Sequence, residues 1–190
     1  MLLLAVLTGC GGAKADAAAV RAHYEALDGF TAQLAITAAQ DDLVQEYQME
    51  YTYSRSEPDR FTITAPEAIA GIGGTIAGTD NAQFSLQYDG MQLDDAMPQR
   101  TGLTPADSLF CLLNDLRTGE PAQMWTESAD GSALLVLRYT GEDADGTVEK
   151  QVWLTEDTLQ PVYAELYADG SRVLTLRLTG WQTENNGDEA

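Results

Sequence analysis

The chain has 190 residues, 44% of them hydrophobic, with 30 acidic against 10 basic side chains and a formal net charge of −20. That is one domain's worth of chain with ample apolar material for a core, which excludes intrinsic disorder of the body. The acidity excludes a nucleic-acid backbone as partner, because phosphates are repelled, and it disfavours adhesion to anionic membrane surfaces.

In chain order, residues 2–7 are a short apolar run, and Leu7-Thr8-Gly9-Cys10 closes it with small residues before a cysteine. This reads as the end of a secretory signal over 1–9. It is too short to span a membrane, which takes roughly 20 apolar residues. Residues 10–15 form a tether. Asp16 caps a predicted helix over 17–27, where Val20, Tyr24 and Leu27 make one apolar stripe, and Gly29 stops it. From Phe30 the period changes to two. Phe30, Ala32, Leu34 and Ile36 alternate with polar residues. Leu43, Tyr47, Met49, Tyr51 and Tyr53 do the same, then Phe61 and Ile63, then Phe84, Leu86 and Tyr88. Such alternation predicts antiparallel strands with one buried face.

A second helix is predicted from Thr104 as N-cap, with Pro105 in its first position and Asp107 favouring the helix start. Leu109, Leu112, Leu113 and Leu116 follow at helical spacing, and Gly119 with Pro121 ends it. Strands then follow around 123–127, 133–139, 148–154, 162–167 and 172–181, with Asp-Gly pairs marking tight turns. Trp125, Trp153 and Trp181 recur every 28 residues, which reads as a coincidence of hairpin length. The tail 183–190 reads as disordered. The fold class is therefore α+β, dominated by one large antiparallel sheet over 16–182.

Catalytic signatures are missing. His23 is the single histidine and borders the apolar stripe of the first helix, so it reads as a packing residue. No G-x-S-x-G elbow is present, and zinc sites need more His or Cys than the chain carries. The stretch Gly141–Gly146 does not fit a calcium loop and reads as a hairpin tip. Asp41-Asp42 and Asp94-Asp95 read as solvated acids between strands. "GIGGTIAG" lacks the Lys-Ser/Thr of a phosphate loop, and "APEAIAGIGGTIAG" reads as a connecting loop. Cys111, inside an apolar helical pattern, reads as a buried, inert thiol. No enzyme activity, cofactor or metal is expected.

Two resemblances extend this reading. "LTGC" resembles a bacterial lipobox, which implies that Cys10 is lipidated and becomes the mature N-terminus; the basic region of a full signal is then expected upstream of Met1. The stretches "HYEALDGFTAQLAI", "YTYSRSEPDRFTITAP", "QYDGMQL" and "VWLTEDTLQPVYAELYADG", in that order, resemble the lipoprotein-carrier (LolA/LolB-like) superfamily, which includes clostridial spore-germination lipoproteins. The resemblance implies an incomplete β-barrel, a curved sheet with helices across its open side and an apolar cavity between them. It implies cavity lining by Leu34, Ile36, Met49, Tyr51, Phe61, Ile63, Phe84 and Leu86 from the sheet, with Leu109, Leu112 and Leu113 from a lid helix. The same positions serve as ordinary core in any sheet of this pattern. The carriers' arginine before the proline of the third-strand motif is Glu57 here, with Arg55 two positions earlier, so lid latching and shuttling are not carried over.

Two functions follow as expectations. One is an extracytoplasmic, membrane-anchored lipoprotein that binds a lipid, acyl chain or lipopeptide. The other is a non-catalytic lipoprotein that docks an envelope enzyme or sensor, with the cavity collapsed.

Overall fold

The computed structural model describes residues 16–40, 43–78, 82–98, 100–129 and 131–183. The LTGC stretch with Cys10, the Asp41-Asp42 pair and the tail from 184 onward lie outside the described residues.

Helix α1 (Ala17–Ala26) precedes strands β1 (Gly29–Gln40), β2 (Leu43–Ser54) and β3 (Asp59–Ala65). A short 3-10 turn (Glu67–Ile69) leads to β4 (Gly73–Ala77), β5 (Gln83–Tyr88) and β6 (Met91–Ala96). Helix α2 (Ser108–Thr118) then leads to β7 (Gln123–Ala129), β8 (Ser132–Asp143), β9 (Gly146–Thr155), β10 (Pro161–Ala168) and β11 (Ser171–Thr183). The strands form one open antiparallel sheet in the order β6-β5-β4-β3-β2-β1-β11-β10-β9-β8-β7. The expected curved sheet with helices across it is the fold observed.

Asp16 caps α1 as expected, accepting from the Ala19 N–H at 2.8 Å. The helix ends at Leu27 rather than at Gly29, which already belongs to β1. Its free carbonyls are satisfied from the β2–β3 turn: Arg55 donates Nη2 to Glu25 O and Nε to Leu27 O. Tight hairpins follow the Asp-Gly pairs. Asp89–Gly90 and Asp169–Gly170 both hold positive φ at the two central residues, as type I′ turns require.

Three expectations are corrected. Helix α2 begins at Ser108 with Asp107 as its N-cap residue, three residues later than the predicted cap at Thr104. The Thr104 hydroxyl donates to the Asp107 carboxylate instead of accepting from the helix start. "APEAIAGIGGTIAG" is not a bare loop but contains the 3-10 turn and β4. Glycine is required inside β4, because a Cβ on Gly74 would meet the Phe61 ring at 2.3 Å. Asp94 and Asp95 sit within β6, not between strands. Hairpin length places Trp125 and Trp153 in one cross-sheet row, Trp125–Val136–Trp153, where their indole N–H groups share the Glu127 carboxylate. Trp181 is separate and stacks on Phe30 with centroids 3.8 Å apart.

The two edges of the sheet, β6 and β7, are consecutive in sequence. The chain between them therefore has to cross the sheet, and it does so as α2. Ser108, Leu109, Phe110, Cys111, Leu112, Leu113 and Leu116 are all buried, an apolar helix on nearly every side. Each fully buried leucine contributes ~1.5–3 kcal/mol. Cys111 is buried, and burial pushes its thiol up to about 12. His23 is half-buried beside Tyr24, and burial lowers its pKa.

Two carboxylates are buried, Asp107 at the start of α2 and Asp59 on the sheet's apolar face. Asp59 is 5% exposed and accepts from the Tyr51 hydroxyl at 2.5 Å. Burial disfavours its charged form and pushes its carboxyl from 3.8 to about 6, against the pull of the Tyr51 hydrogen bond and of Arg117. The folded chain thus holds this proton more tightly than the unfolded chain. The stability from this group is complete below about pH 4 and is lost as pH rises through about 6. Urea unfolding of the wild type and of Asp59→Asn between pH 4 and 7 should show wild-type stability falling by about 2–3 kcal/mol relative to the variant. A constant difference across that window contradicts the assignment.

Candidate functional site

The structure brings all eleven predicted lining residues together. Ten of them are buried within one core cluster, and Leu86 is half-buried against it. They belong to one hydrophobic cluster that joins the sheet to α2. None of them lines the most apolar of the described pockets, which lies elsewhere.

That pocket, of about 470 Å³, lies at one end of the sheet. Three features meet there: the end of β1 with the start of β2, the end of β10 with the start of β11, and the arm of residues 98–105 leading into α2. Ala38, Leu43, Leu103, Pro105, Val173 and Leu174 supply its apolar wall. Tyr47 also lines it, with its hydroxyl donated to Gln45 Oε1 at 2.6 Å. Leu43 and Val44 at the hairpin end are 59% and 61% exposed. The volume falls in the ~300–1,000 Å³ range of small-molecule sites.

The arm that closes one side is held by charge. Arg100 donates Nε to Asp143 and Nη1 to Asp169, each at 3.0 Å, and Nη2 to the Thr147 carbonyl at 3.3 Å. Asp169 in turn accepts from the Thr147 N–H at 2.9 Å. These bonds and the guanidinium hold Asp169 below the usual carboxylate range. For Asp143 burial pulls upward, but the bonds from Arg100 and from the Asp145 N–H outweigh it and the net shift is down. So Arg100 is spent on the two hairpins, although it lines the pocket.

Closer to α2 the arm is tied by Asp107, which is fully buried. Its carboxylate accepts from the Gly102 N–H at 2.7 Å, the Thr104 N–H at 3.0 Å and the Thr104 hydroxyl at 2.6 Å. Burial still raises its pKa against those three bonds. Gly102 is obligatory here: its φ is +84°, and a Cβ would sit 2.9 Å from that of Cys111. A further pair, Lys150 to Asp115 at 2.6 Å, pins α2 to β9.

The other pockets are more polar. One of about 330 Å³ lies at the far end of α2, lined by Tyr53, Arg55, Asp59, Phe110 and Arg117, with the Arg117 guanidinium 5.0 Å above the Tyr53 ring. Another of about 310 Å³ lies among Asp115, Glu120, Tyr139 and Lys150. Among the described residues no group of three His, Cys, Asp or Glu is placed to hold a metal.

Sequence reasoning missed Arg100, Leu103 and Val173. The one signal was an isolated arginine in an acidic chain just before a helix. Its partners lie 43 and 69 residues away, so no local pattern names them.

No family model matches the chain, and no curated protein sequence does. Among solved structures it is similar to a domain described as an outer membrane lipoprotein-sorting protein from Vibrio parahaemolyticus, at 12% identity over 91% of this chain and 92% of that one, with a TM-score of 0.53. It is also similar to a LolA superfamily protein from Nitrosomonas europaea, at 16% identity, 92% and 96% coverage and a TM-score of 0.48. A third likeness, at 12% identity, 86% and 91% coverage and a TM-score of 0.46, is to a chain in the complex of the CwlD amidase with the GerS lipoprotein from Clostridioides difficile. What the chain shares with the Vibrio parahaemolyticus lipoprotein-sorting domain is the fold.

Replacing Arg100 with alanine should free the arm while leaving the core intact. Hydrogen exchange at the Gly102 and Thr104 amides should accelerate by at least about tenfold, with the amides of β1 and β11 unchanged. Unchanged exchange at the arm contradicts its dependence on Arg100.

Proposed function

We propose that this chain is a non-catalytic, extracytoplasmic lipoprotein, anchored to a membrane through Cys10, that takes an acyl chain of a lipid or lipopeptide into the pocket at the hairpin end. The observation that carries this reading is that pocket, with its apolar wall and a single cation already committed to two carboxylates. An acyl chain needs no charged contact: each buried methylene contributes about 0.8 kcal/mol. The roughly fourteen methylenes of a palmitoyl chain give about 11 kcal/mol gross, and subtracting about 4 kcal/mol for association leaves about 7 kcal/mol, a complex in the micromolar range at best. The LolA-like fold and the LTGC sequence support the lipoprotein reading.

A second reading is favoured by the burial of ten of the eleven expected lining positions. With those side chains joined in one hydrophobic cluster, the domain also suits a tethered role in which a protein partner docks on its surface.

The two are separated by titrating a fluorescent fatty acid into the full chain carrying Cys10→Ala. Binding in the micromolar range is expected, weakened at least about tenfold by Ala38→Trp, which fills the pocket wall. No binding up to about 100 µM overturns the acyl-chain reading and leaves docking.

A further inference from the structure

Two edges of the sheet are open, and they differ. Among the described residues no strand pairs with the outer side of β6 or of β7. An open edge presents a row of unpaired N–H and C=O groups, which natural sheets guard with charged residues, above all lysine, with proline or with a bulge; in β6 the charges are Asp94 and Asp95, at one end of the strand. The β6 sequence, "MQLDDA", has no lysine or proline, and its pairing with β5 is regular from Gln83↔Ala96 to Tyr88↔Met91.

The faces of this edge are sorted. Leu93 lies directly opposite Leu86, and Met91 opposite Tyr88. These pairs share the face of Phe84, which is in the core and has Asp95 as its partner in the register, so the apolar part of this face at the edge is Met91 and Leu93. The apolar face of the sheet thus runs on past the reach of α2 to the edge. There Met91 is 68%, Leu93 61% and Tyr88 49% exposed. Asp94 and Gln92 occupy the opposite face, where Gln92 donates to Asp94 Oδ1 at 2.8 Å. By contrast, the β7 edge exposes one large apolar side chain, Met124, at 39%.

We infer that β6 is a docking edge for an extended segment of a partner protein in which apolar residues alternate with lysine or arginine. The added strand pairs its backbone with β6. Its apolar residues cover Met91 and Leu93, and its basic residues meet Asp94 on the other face. Charge decides the occupant. A second copy of this chain brings another Asp94 and a further −20, so pairing with itself is opposed. A basic segment is attracted by the same field. This inference goes beyond the acyl-chain reading and uses none of the pocket residues.

The test is fluorescence anisotropy with a labelled peptide of alternating valine and lysine, against a control of the same composition with the lysines at one end and the valines at the other. The full chain carrying Cys10→Ala should bind the alternating peptide at least about tenfold more tightly than the control. Leu93→Asp should weaken binding of the alternating peptide, and Asp94→Lys should weaken it and reduce its salt dependence. Both side chains are exposed, so melting temperature and fatty-acid binding should not change, which keeps a failure here distinct from a failure of the pocket. Amide shifts on binding should cluster at Met91–Asp94. Equal affinity for the two peptides, shifts clustered at β7, or a wild-type dimer that Leu93→Asp dissolves would each overturn the inference.

Discussion

The apolar face of an eleven-stranded sheet leaves water here because one segment crosses it. Strands β6 and β7 follow each other in sequence yet form opposite edges, so residues 97–122 have to travel the width of the sheet. A polar crossing would leave Phe30, Leu34, Met49, Leu137, Leu176 and their neighbours wet. The crossing is instead α2, apolar on nearly every side, and α1 packs against it. The burial that stabilises the fold and the space left for a ligand are therefore set by the same element.

That constraint explains where the apolar side chains of the sheet find cover. Residues selected by alternation point at α2, and α2 brings its own leucines to meet them. Space remains where α2 has not yet begun, along the arm 98–105 and beside the ends of β1, β2 and β11. There the chain is held by hydrogen bonds and charge: Arg100 to two hairpins, Asp107 to Gly102 and Thr104. Helix α2 covers the interior, and the ion pairs of its leading arm border the cleft.

Much of this was legible in the residues. Period-two runs at Phe30–Ile36 and Leu43–Tyr53 located β1 and β2, because half-buried strands write their faces into sequence. Asp16, the Asp-Gly turns and Gly119 marked ends through local backbone chemistry. Other parts were not legible. Strand β4 is "GGTIA", where glycine is needed beside the Phe61 ring and erases the alternation. Strand β6 is an edge whose aspartates imitate a turn. The start of α2 was displaced because the Thr104-Pro105 pair is a good start signal, whereas the carboxylate of Asp107 is spent holding the arm. Whether alternating residues line a cavity or a core depends on how closely a helix 23 to 79 residues away settles on them, and sequence spacing does not encode that distance.

The most direct measurement is the set of intermolecular nuclear Overhauser contacts between ¹³C-labelled palmitate and the methyl groups of the Cys10→Ala chain. Contacts to Ala38, Leu103 and Val173, with none to Leu34, Leu112 or Leu113, are the result expected of a filled interior with an end pocket. Contacts to Leu34, Leu112 and Leu113 would mean that α2 lifts and the acyl chain lies between helix and sheet, which contradicts it.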